Sequence, residues 1–144
     1  MPLSKADVDR LIDTHFRYEA TDDVEGVLSS LAEGAEHHVV PSPFGVTTDP
    51  RHIRAFYTGM FKDLRGSGVT PVRRLYGDNF VVDESIWHGH IDDGHMFGCA
   101  GRGGPVSFRL LHVFEFEGAK IRRENAWCDV SAIQAQLGLG EARK

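Results

Sequence analysis

The stretch from Leu110 to Asp129 constrains this chain most: two strand-like runs are joined by Gly118-Ala119. Glycine at the first central position suits a two-residue type II′ turn, whose geometry fixes the pairing of the flanking strands. If Glu117 stands opposite Lys120, counting outward sets Phe116 by Ile121, Phe114 by Arg123, His112 by Asn125, Leu110 by Trp127 and Phe108 by Asp129. The face so defined carries Phe108, Leu110, Phe114, Phe116, Ile121 and Trp127, enough apolar surface to point inward. His112, Asn125 and Asp129 go in with it. Polar groups among aromatic side chains need partners in one another, in water or in a ligand, so function is expected on this face.

The remaining elements follow from period and punctuation. Ser4 and Asp7 form a capping-box pattern ahead of a helical stripe of Val8, Leu11, Ile12, His15 and Phe16, which predicts a helix to about Ala20. Asp22 or Asp23 caps a second short helix, with Gly34 as its stop, and Glu36 to Val40 reads as a strand ending at the prolines Pro41 and Pro43. Asp49-Pro50 opens a third helix whose buried face includes Phe56 and Tyr57, and Gly66-Ser67-Gly68 ends it. Strands are expected over Val69 to Tyr76, Phe80 to Ile91 and His95 to Cys99 before the hairpin, and a last helix over Val130 to Leu137. Helices first and a strand meander afterward predict an α+β fold of one domain spanning residues 1–144, in which a cone-shaped, strongly curved antiparallel sheet wraps around the N-terminal helices. Such a cone encloses a pocket wherever its side chains do not fill it.

Composition narrows the function. A formal charge of −5, with only the doublets Arg73-Arg74 and Arg122-Arg123 as basic clusters, argues against nucleic acid as the partner. No apolar run reaches the roughly 20 residues of a membrane span and no signal sequence opens the chain, so neither membrane insertion nor export is expected and the location reads as cytoplasmic. Cys99 and Cys128 are too few for a disulfide framework or a thiolate metal centre. His88-x-His90 places two imidazoles on one strand face, with His37, His38 and His95 elsewhere, but no carboxylate–histidine spacing accompanies them, so no metal or other cofactor is expected. The opposite sheet face, with Leu111, Val113, Ala126 and Cys128, is more apolar than a solvated surface, which predicts a homodimer.

In the order of its elements the chain resembles the nuclear transport factor 2-like superfamily, and within it the SnoaL-like polyketide cyclases. The strings that carry this resemblance are Asp23-Val24-Glu25-Gly26-Val27, Trp87-His88-Gly89-His90, Gly104-Pro105-Val106-Ser107, Ile121 through Asp129, and Gln136-Leu137-Gly138. The steroid-isomerase branch would need Tyr, Asp and Asp where this chain has His15, Ser42 and His112, so the resemblance does not extend to that machinery. The cyclase branch implies a histidine and an acid in the cone. His112 matches the first, and the second lies between Asn125 and Asp129.

The chemistry expected is proton removal beside a carbonyl, stabilisation of the enolate, and ring closure or isomerisation of a small hydrophobic substrate without a cofactor. His112, Asn125 and Asp129 are the catalytic candidates, and His15, Tyr57, His38, Phe108, Phe114 and Trp127 the ligand-binding ones. Each polar candidate has a structural alternative: a satisfied core pair for His112 and Asn125, a helix N-cap for Asp129, a core histidine for His15. A passive binding or dimerisation module of the same fold is the competing function.

Overall fold

The computed structural model describes residues 2–140. Helix α1 spans Lys5–Ala20 and α2 Val24–Ser29, followed by β1 (Leu31–Val40), α3 (Pro50–Asp63), β2 (Leu64–Gly77), β3 (Phe80–Ile91), a 3₁₀ turn (His95–Phe97), β4 (Gly104–Glu117), β5 (Lys120–Cys128) and α4 (Val130–Gln136). The caps sit where the sequence puts them. Ser4 and Asp7 close a capping box on α1, Asp23 accepts from Gly26 N on α2, and Asp49 caps α3 with proline in its first turn. Three expected elements differ. The chain passes straight from α3 into β2, so Gly66-Ser67-Gly68 forms an irregular start of that strand and not a loop. Gly34 lies within β1 at a shift in pairing, and His95–Phe97 is a turn of helix between left-handed Gly94 and Gly98.

The sheet order is β1-β5-β4-β3-β2. Strands β2 to β5 form the expected antiparallel meander, while β1 adds at the edge in parallel to β5. The helices cover the concave side in three groups. Val8 and Ile12 of α1 pack on Val81, Phe114, Phe116 and Ile121 at the hairpin end. Val27 of α2 with Ile53, Phe56 and Tyr57 of α3 packs on Val39 and Ala126. At the far end Ile133 and Leu137 join Ile91, Phe97, Val106 and Phe108. Each fully buried side chain of this size contributes roughly 1.5–3 kcal/mol. Arg74 of β2 adds a polar bolt, binding Asp83 on β3 at 2.8 Å and Asp9 and Asp13 on α1 at 2.9 and 3.0 Å.

Candidate active site

The hairpin turn is as expected: Gly118 has φ +56° and Ala119 is not left-handed, as a type II′ turn requires. Glu117 pairs with Lys120 and Phe116 with Ile121, but the next pair is Glu115 with Arg123. Arg122 is thus an extra residue, a β-bulge in which two residues of one strand oppose one of the other. Both arginines bind the Glu115 carboxylate, Arg122 at 2.7 Å and Arg123 at 2.9 Å. A slip of one residue exchanges the two faces of a strand. From here on β5 turns Glu124, Ala126 and Cys128 inward, with Phe114 opposite Glu124 and His112 opposite Ala126.

Several expected placements change as a result. Asn125 lies outside the cone, where its Nδ2 donates to Glu36 at 2.8 Å. Trp127 is also outside and 38% exposed. Asp129 is exposed and caps α4, accepting from Ala132 N at 3.1 Å. The parity of β1 buries Ala35, His37 and Val39, so His37 points inward and His38 is a half-buried residue of the other face. Ala126 and Cys128, expected outside, are inside. His15, Tyr57, Phe108, Phe114 and His112 are buried as expected. Of these Tyr57, Phe108 and His112 line a cavity of about 440 Å³, while His15 and Phe114 stand behind its wall.

The cavity ends on a connected polar cluster. Glu124, fully buried, accepts from the Tyr57 hydroxyl at 2.6 Å through Oε1 and from His15 Nε2 at 2.6 Å through Oε2. Glu19 lies one helical turn after His15 on α1, and its Oε1 is 2.9 Å from His15 Nε2 and 3.0 Å from the Tyr57 hydroxyl. His37 Nε2 reaches that hydroxyl at 3.2 Å. His112 Nε2 is 3.8 Å from Glu124 Oε2, its ring is stacked on Phe114 and meets Phe16 edge-on, and its buried Nδ1 has no hydrogen-bond partner among the described residues.

Proton positions follow from these contacts. The Ser30 hydroxyl donates to Val27 O at 2.5 Å, so it can only accept from His15 Nδ1 at 2.6 Å. His15 Nε2 faces two carboxylates and must donate as well, which makes the ring an imidazolium. Burial opposes that charge, but the carboxylates of Glu124 and Glu19 outweigh burial and raise the His15 pKa to about 10. Burial likewise works against the Glu124 charge, yet His15 holds this carboxyl well below the usual range. For His37 burial prevails and lowers the pKa, and burial followed by the two carboxylates raises that of Tyr57 far above the ordinary phenol value.

His15, Glu19 and Glu124 bring one ligand atom each within 4.8 Å of one another, a donor set that could hold a metal ion. Direct contacts of 2.6 and 2.9 Å put a proton of His15 in that central place. The sequence held a signal for this cluster. Arg122-Arg123-Glu124-Asn125 breaks the alternation of polar and apolar residues that an unbulged strand keeps, and shifting one residue there leads to Glu124.

The SnoaL-like polyketide cyclase family matches residues 6–137. The chain belongs to that family. No curated protein matches it in sequence. Among solved structures it is similar to TsrD from Streptomyces laurentii, with 19% identity over 94% of this chain and 98% of that one and a TM-score of 0.77. An NTF2-like protein from Burkholderia thailandensis shares 14% identity over 89% and 95%, with a TM-score of 0.69. A LEH-like epoxide hydrolase from M. tuberculosis shares 17% over 92% and 90%, with a TM-score of 0.67. At these identities the likeness is one of fold, the NTF2-like cone, on which different chemistries are built. Among the described residues of this SnoaL-like chain no helix is long and apolar enough to cross a membrane.

Proposed function

We propose that this SnoaL-like protein is a cofactor-independent acid–base enzyme, which cyclises or isomerises a hydrophobic, oxygenated, polyketide-like molecule through an enolate. The observation that carries the reading is that a largely apolar cavity ends on one connected polar cluster, with His112 in its wall and the Glu124 carboxylate beside it. His112 is the base. It lines the cavity, and the imidazolium formed on proton uptake faces Glu124 at 3.8 Å. Ser85, on the adjacent strand and part of the lining, is the donor to the developing oxyanion. In ring closure the enolate carbon attacks a second carbonyl of the same molecule, whose oxygen takes the proton back from His112.

The test is exchange of α-hydrogens of hydrophobic cyclic ketones and 1,3-diketones for solvent deuterium, followed by proton NMR. The protein should accelerate exchange, and His112→Ala should slow it by about 100-fold or more with little change in melting temperature. Absence of exchange, or exchange indifferent to His112→Ala, contradicts the proposal. The alternative of a passive binding module draws on the fact that both Glu124 oxygens are already hydrogen-bonded within the protein. The same assay separates the two. We also propose a homodimer through the outer sheet face, where Leu111 and Trp127 pair across β4 and β5 and are 37% and 38% exposed. Sedimentation as a monomer at micromolar concentration contradicts it.

A further inference from the structure

The lining of the cavity is one-sided in charge. Glu19, Asp22 and Glu124 are the acidic residues that line it, and among the described residues no lysine or arginine does. The cation of the cluster, the His15 imidazolium, is not part of the wall and is shared by Glu19 and Glu124. Two carboxylates against one imidazolium leave the buried end of the cavity with an excess negative charge. The sides are aromatic and thioether: Phe16, Phe56, Phe61, Trp87, Phe97 and Phe108, with Met60 and Met96. Aromatic faces attract cations, and a carboxylate in such surroundings attracts them more strongly than it does in water. An anion there would lie unpaired beside Glu19 and Glu124.

We propose that the cavity takes an organic cation: a hydrophobic carbonyl compound carrying a protonated alkylamine, its ammonium beside Glu19 and against the aromatic walls. This rests on the acid–base reading above and names the charge of its substrate. An enolate forming next to a cluster of net negative charge is disfavoured, and an ammonium within the same molecule offsets that repulsion. The positive charge that the protein's wall lacks comes in with the substrate. A carboxylate-bearing substrate of the same size is excluded on the same grounds.

Three matched probes test this by isothermal titration calorimetry on the whole protein at pH 7: 3-phenylpropylamine, which is protonated there, 3-phenylpropan-1-ol and 3-phenylpropionate. The ammonium should bind about tenfold or more tighter than the alcohol, and the propionate should give no binding heat at millimolar concentration. Glu19→Gln should remove most of the preference for the ammonium over the alcohol. The wild-type ranking carries the test even if that variant does not fold. If alcohol and ammonium bind alike, or the propionate binds as well as the ammonium, the charge assignment is overturned while the cavity remains a site for hydrophobic molecules. If none of the three binds, the charge assignment and the acid–base reading fall together.

Discussion

Glu124 has no exposed surface, and each of its oxygens has a named partner, Tyr57 for one and His15 for the other. Removing one member of a buried ion pair strands the other charge, at a cost of about 3–5 kcal/mol. Glu124→Ala should lose about that much stability in urea unfolding with an unchanged m-value, and replacing His15 and Glu124 together by leucine should cost less than the sum of the single changes. A near-zero cost for Glu124→Ala contradicts the pairing. His112 was legible in the sequence as a polar residue on an apolar strand face, and Tyr57 as part of a helical stripe. Glu124 was not. A buried glutamate is rare unless paired, and its partners His15 and Tyr57 come from two helices far away in the chain.

At the scale of elements, the decisive feature is the bulge at Arg122. Deleting Arg122 removes only the extra residue: Arg123 then follows Ile121 and stays opposite Glu115, and Glu124 stays opposite Phe114, facing inward. That deletion should therefore keep deuterium exchange and the native fold, and Arg122→Ala should change stability by no more than about 0.5 kcal/mol. Loss of exchange and of the fold on deletion, with Arg122→Ala harmless, contradicts the bulge. Element types and caps were readable because caps, helical stripes and the Gly118-Ala119 turn are local. Register was not, since a bulge depends on how two strands twist against each other and on Glu115 taking two arginines at once. The parallel addition of β1, and with it the inward turn of His37 instead of His38, likewise depends on a distant partner strand.

For the whole molecule, the cone is closed by helices at three places and left open between them, and its polar end is held by charges that must stay buried and paired. This couples folding to pH. His15 is raised from 6.5 to about 10 on folding, so its contribution to stability is complete below pH 6.5 and is lost as pH rises toward 10. Glu124 is lowered from 4.5, so its contribution is present above that value and is lost as pH falls below it. These are two ends of one interaction, and the stability maximum should lie between them. The measurement that tests the central claim, an inward Glu124 holding a charged His15, is a titration of the histidine ring nitrogens by 15N NMR. Both His15 nitrogens should remain protonated at pH 8.5 in the wild type and lose this behaviour in Glu124→Gln. A His15 ring that is neutral at pH 8.5, titrating near 6.5 as a free imidazole does, would contradict the account.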